Sequence, residues 1–149
     1  MSTKHESMIG ILKLYDLRRE ETMRKARDWF VTFNPGSLQD IVDTFNGEHS
    51  AYYRMVTTYW DMAASFVNHG AIDEQMFNDA NLEHVAVFAK VEPFIAEIRA
   101  MAKMPQYLAN LEQLVMRLPN AQEMLADTRE RMKAIAVARA ETASTAKGA

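Results

Sequence analysis

Cysteine is absent from this 149-residue chain, which removes disulfides, thiol nucleophiles and thiolate metal sites together. A reducing, cytoplasmic setting fits that absence. Only five glycines and four prolines interrupt the chain, so the composition favours helices over strands. Long hydrophobic runs are missing too. Within the most apolar part, residues 62–72 are the longest stretch without Asp, Glu, Lys or Arg, eleven residues, where a membrane span needs about 20. The N-terminal cluster Met8–Leu12 is followed at once by Lys13 and Asp16 and is too short for a signal-peptide core. The chain reads as soluble, with no membrane span.

Catalytic and metal motifs are also lacking. None of His5, His49, His69 or His84 follows a Glu three residues earlier, the spacing that points two ligands inward from one helix of a di-iron bundle. There is no HExxH helix, no EF-hand loop, no G-x-S-x-G elbow and no glycine-rich phosphate loop. Neither a cofactor nor a metal is expected. The cluster of Asp73, Glu74 and Asp79 is better explained by capping and solvation.

What is present is helical periodicity. A chain of this length forms one domain and buries about 70% of its unfolded surface without a staple. Residues 51–80 organise the rest. Tyr52, Val56, Tyr59, Ala63 and Phe66 recur at steps of three and four, and Tyr53, Trp60 and Val67 form a second stripe beside them. A helix apolar over most of its circumference is buried. Its one polar seam is Arg54, Thr58, Asp61, Ser65 and Asn68. Gly70 closes this central helix in the left-handed conformation, and Asp73 caps the next, with Ile72 and Phe77 spaced as a hydrophobic staple.

Taken in order, residues 5–33 read as one long N-terminal helix ended by Pro35-Gly36, and Ser37 with Asp40 opens a short helix to Phe45. After the central helix, a short helix covers 74–78. Another runs from about Asn81 toward Met101, with Pro93 kinking it near Ala89, because proline donates no hydrogen bond to the carbonyl four residues back. Met104-Pro105 breaks the chain again, Tyr107–Leu118 forms an amphipathic helix, and Asn120 with Glu123 is read as the capping pair of the last one. The expected architecture is all-α: a single-domain bundle over 1–141 with a long N-terminal helix, a buried central helix and a Pro-kinked helix, then a disordered tail over 142–149.

Trp60-Asp61, Gly70-Ala71-Ile72-Asp73, Phe77, Val91-Glu92-Pro93-Phe94-Ile95, Arg99, Pro105, Tyr107 and Glu112-Gln113-Leu114 follow one another in an order that resembles an uncharacterised family of bacterial helical proteins, a domain of unknown function, over about residues 50–118. Many members carry an N-terminal membrane helix, which these residues do not supply. The resemblance implies a helical fold and a bacterial cytoplasmic protein. It brings no activity and no site residues.

Charge bears on the partners. Residues 1–34 carry a net +2, residues 35–92 a net −7 and residues 93–149 a net +2. Ser37–Val56 has the outline of a helix-turn-helix, but its second helix offers Tyr52, Tyr53 and one Arg inside the acidic segment, where phosphate contact is opposed. Nucleic acid is therefore not an expected partner. Two readings remain. One is a non-enzymatic helical interaction or scaffold module that self-associates or docks a protein partner through its long first helix and thin last one. The other is a small-molecule-binding protein or enzyme with an aromatic-lined pocket of Tyr52, Tyr59, Trp60 and Phe66 near Asp61. On either reading Asp61 needs a partner, Arg54 or Arg99 being the basic residues in view, because an unpaired buried carboxylate is costly.

Overall fold

Three helices of this protein start where a short side chain satisfies the first free N–H groups. The computed structural model describes all residues, Met1–Ala149. Thr3 and Glu6 form a reciprocal capping box at the start of α1 (Lys4–Arg18), and Ser37 and Asp40 form another at α3 (Leu38–Asn46). Asp73 caps α5 (Glu74–Ala80) through the Met76 N–H. At the end of α4 (Ser50–Asn68), Gly70 takes φ +76°. Gly70 N–H then bonds the Val67 carbonyl and Ala71 N–H the Phe66 carbonyl, both at 2.9 Å. Those two bonds close the helix as a Schellman motif. The capping reading of Gly70–Asp73 therefore holds.

The remaining elements are α2 (Glu21–Thr32), α6 (Glu83–Val91), a 3-10 turn (Glu92–Phe94), α7 (Ile95–Ala102), α8 (Ala109–Met116) and α9 (Ala121–Lys147), with no strand. The fold is all-α. Helix α4 packs most extensively on α8 and α2, and α6 lies against α9, α8 and α4. The core gathers Phe30, Ile41, Tyr53, Trp60, Phe77, Phe88, Leu111, Leu114 and Leu125 around α4 and α6. Trp60 sits at its centre. Truncating it to alanine would cost about 3–5 kcal/mol.

Three local expectations are corrected. The single N-terminal helix is two helices: Glu20 turns out of helical geometry at ψ 142° and its carboxylate accepts from the Thr22 and Met23 N–H groups at 2.9 Å. Those bonds hold the Glu20 carboxyl below its ordinary pKa. The break lets each half pack separately, α1 on α5 and α2 on α4, so no long arm projects. The kink at Pro93 is a full interruption, with a 3-10 turn between α6 and α7. Asn120 does not cap α9 with its side chain; it takes the left-handed conformation, φ 52°, and offers only its carbonyl to the Met124 N–H. Asn tolerates that conformation better than most residues.

Along the central helix the second stripe is buried throughout, and the first only at Val56 and Ala63. Tyr53, Val56, Trp60, Ala63 and Val67 are buried, whereas Tyr52 and Tyr59 are half-buried and Phe66 is exposed. The last helix continues through 142–147, and every residue from Val137 onward is exposed. No tertiary burial holds that end.

Candidate functional site

The polar seam of α4 divides along its length. Arg54 and Thr58 are exposed and bond only within their own helix, Arg54 to the Ser50 hydroxyl and Thr58 to the Arg54 carbonyl. Ser65 donates to the Met62 carbonyl. Asp61 and Asn68 face α8. One Asp61 oxygen accepts from the Leu111 N–H at 2.9 Å and the other from the Asn110 amide at 3.2 Å. Helix α8 starts from Leu108 in the left-handed conformation, φ 51°, with no side-chain cap of its own. Asp61 supplies that cap from another helix, its negative charge set against the positive end of the dipole. Asn68 completes the seam: its amide donates to the Asn110 carbonyl, and its oxygen accepts from Arg117 at 2.8 Å. Neither Arg54 nor Arg99 meets Asp61. Arg99 donates instead to the Tyr107 carbonyl and pairs with Glu112 at 3.1 Å.

The aromatic residues named with the seam do not converge. Trp60 is sealed by Tyr59 and Phe77 at right angles and by His84, with the Arg18 guanidinium 5.2 Å from its ring. Phe66 points to solvent.

A second polar centre lies at Glu83 on α6. Arg27 of α2 reaches it with two nitrogens, Nη2 at 2.7 Å and Nε at 3.0 Å, and Arg18 of α1 stands 3.6 Å away. Three helices thus meet on one carboxylate. The adjacent His84 donates from Nε2 to the Asn78 side-chain oxygen at 3.1 Å, which leaves Nδ1 as a buried acceptor without a partner. Burial pushes this imidazole down to a pKa of about 4, so it is neutral near pH 7.

Lys90, at the other end of α6, is 3% exposed and has no carboxylate partner. Its ammonium donates to the Phe30 and Val31 carbonyls at 2.6 and 3.0 Å, capping the C-terminal end of α2 from outside. Desolvation lowers its pKa to about 8. Arg129 of α9 does the same for the Pro93 break. Its Nη1 donates at 3.0 Å to the Ala89 carbonyl, the one proline cannot reach, and lies 3.3 Å from Glu92. One pattern covers Asp61, Lys90 and Arg129. Each partly or fully buried charge caps a helix end belonging to another element.

Between α2, α6 and α9 an open cleft of about 790 Å³ remains. Its apolar side is Phe30, Val31, Leu82, Ala86, Val87 and Met132. Six cationic side chains and three carboxylates line the rest, although the protein as a whole is net negative. Sequence reasoning passed over this cleft. The available signal was Lys90, a lone cation inside the apolar run Val85–Val91.

The model of a domain of unknown function (DUF4760) matches residues 5–118. The chain belongs to that family. The match extends the resemblance back through α1 to include α1–α8, and it ends before α9. Helix α9, which forms one wall of the cleft and supplies Arg129, lies outside it. No curated protein and no solved structure matches the chain.

Proposed function

We propose that this DUF4760 domain is a non-enzymatic helical interaction module that self-associates through the outer flank of α1. One observation carries the reading. Ile9, Leu12 and Tyr15 are 53, 57 and 52% exposed on a helix whose opposite side, at Ser7 and Leu14, is buried. Met8, Leu12 and Tyr15 fall at steps of four and three, the spacing of a seam that another helix covers.

The surroundings agree. Helix α1 packs on α5 and is pinned to residues 59–70, the end of α4 and the turn after it, by the Tyr59 hydroxyl on the Leu14 carbonyl and by the Ser2 N–H on the Gly70 carbonyl. Met62 and Phe66 are exposed on that same stretch. Large apolar side chains gathered on one side of a folded domain mark an association surface. Asp61, Glu83, Lys90 and Arg129 are meanwhile engaged as caps and ion pairs. A second copy offers the same patch and closes a two-fold dimer. A cytoplasmic setting belongs to this proposal; no helix is long and apolar enough to cross a membrane.

Sedimentation equilibrium tests it. The wild-type protein is expected as a dimer and Leu12→Glu as a folded monomer. A wild-type monomer across the accessible concentration range overturns the reading.

A further inference from the structure

The α2–α6–α9 cleft carries more cations than its carboxylates can pair. Its three carboxylates are already committed: Glu21 to Lys25 at 3.1 Å, Asp28 to Arg139 at 3.0 Å and Glu83 to Arg27 at 2.7 Å. Three cations are left without a counter-charge, Arg24, Arg131 and Lys90. Arg24 makes no side-chain bond, and Arg131 reaches only the Thr128 hydroxyl at 3.5 Å. Lys90 has three donors and uses two. Cations lining a concave surface with apolar walls focus a positive potential there and raise the local concentration of anions.

The apolar half of the cleft decides the rest of the ligand. Val31, Ala86, Val87 and Met132 are aliphatic, and Leu82, 80% exposed, adds a further apolar side chain to the lining. The only ring is Phe30, which is buried with the Lys90 ammonium 5.2 Å from its centre. No aromatic face is free to stack a nucleobase, so the walls suit a hydrocarbon chain rather than a nucleotide. The volume lies within the range of small-molecule sites.

We propose that this cleft binds an aliphatic phosphate monoester, its phosphate held by Arg24, Arg131 and Lys90 and its chain laid along Val31, Ala86, Val87 and Met132. Two negative charges on the phosphate answer most of the uncompensated positive charge, and guanidinium groups match its oxygens in pairs. The proposal stands apart from self-association, because no α1 residue lines the cleft.

Isothermal titration calorimetry tests it with octyl phosphate, kept below its micellar concentration, beside inorganic phosphate, adenosine monophosphate and octanol. Octyl phosphate is expected to bind one per chain, at least about tenfold more tightly than each of the other three. In the double variant Arg24→Gln/Arg131→Gln that affinity is expected to fall by about tenfold or more. Both residues are exposed and free of ion pairs, so the melting temperature should not move. Absence of octyl phosphate binding overturns the proposal. So does equal or tighter binding of adenosine monophosphate, or binding that survives the double substitution. Octyl phosphate binding to Leu12→Glu should match wild type, which separates this site from the α1 flank.

Discussion

The Asp61 carboxylate, in the middle of α4, accepts the Leu111 N–H at 2.9 Å and so caps α8 across 50 positions of sequence. Its effect is both local and global, because α4 and α8 form the largest helix–helix contact in the protein. Asp61→Ala is expected to lower stability by about 1–2 kcal/mol, the range of an N-cap loss. Asp61→Asn keeps an acceptor oxygen and should cost less. Denaturant unfolding of the three proteins checks the order.

Arg129 and Pro93 should be coupled. Arg129→Met leaves the Ala89 carbonyl without its donor beside the 3-10 turn, at an expected cost of about 1–3 kcal/mol. Pro93→Ala restores an N–H four residues on from Ala89, and in that background the Arg129 substitution should cost measurably less. A double-mutant cycle reads the difference. Strict additivity would show that the carbonyl does not depend on Arg129.

His84 makes stability depend on pH in a defined direction. Its imidazole is held at a pKa of about 4 when folded, against 6.5 for an unperturbed imidazole. The unfolded chain therefore binds the proton more readily, and stability falls as pH drops from 6.5 toward 4. Above 6.5 the contribution is fully present. Between pH 7 and 5 this one group should remove at most about 2 kcal/mol. His84→Gln should lack that component, so the stability gap between variant and wild type should change between the two pH values. Parallel pH profiles would contradict a buried neutral His84.

Local chemistry was legible in the sequence. Ser37-Asp40 and Gly70–Asp73 act within a few residues of themselves, so spacing alone identifies their caps. The same reasoning failed where a residue had two local options. Glu20 could continue a helix or start one, and the Thr22 and Met23 N–H groups decided for a start. Asn120 could cap with its side chain or turn left-handed, and it turned. Long-range partners were not legible at all. The polar seam names Asp61 and Asn68, but their neighbours on α8 lie more than 40 positions away. Arg54 and Thr58 share the periodicity of the seam and meet nothing beyond α4. Lys90 and the cleft depend on α9 closing over α2 and α6, a packing relation that helix periodicity does not encode.

The C-terminal end of α9 should be dispensable for stability. From Val137 onward each residue is exposed, and the Arg139–Asp28 pair joins two exposed side chains. Surface pairs of that kind contribute about 0–1 kcal/mol. Deleting residues 142–149 should leave the denaturation midpoint unchanged, and amide exchange there should be the fastest in α9. A clear loss of stability would mean that this segment is held by contacts of its own.

Sedimentation equilibrium on wild type and Leu12→Glu asks whether the exposed flank of α1 joins two copies of the protein. The wild type is expected as a dimer that the substitution converts to a monomer with unchanged helicity, because Leu12 is 57% exposed and lies outside the core. A monomeric wild type, or a dimer indifferent to Leu12→Glu, would contradict it.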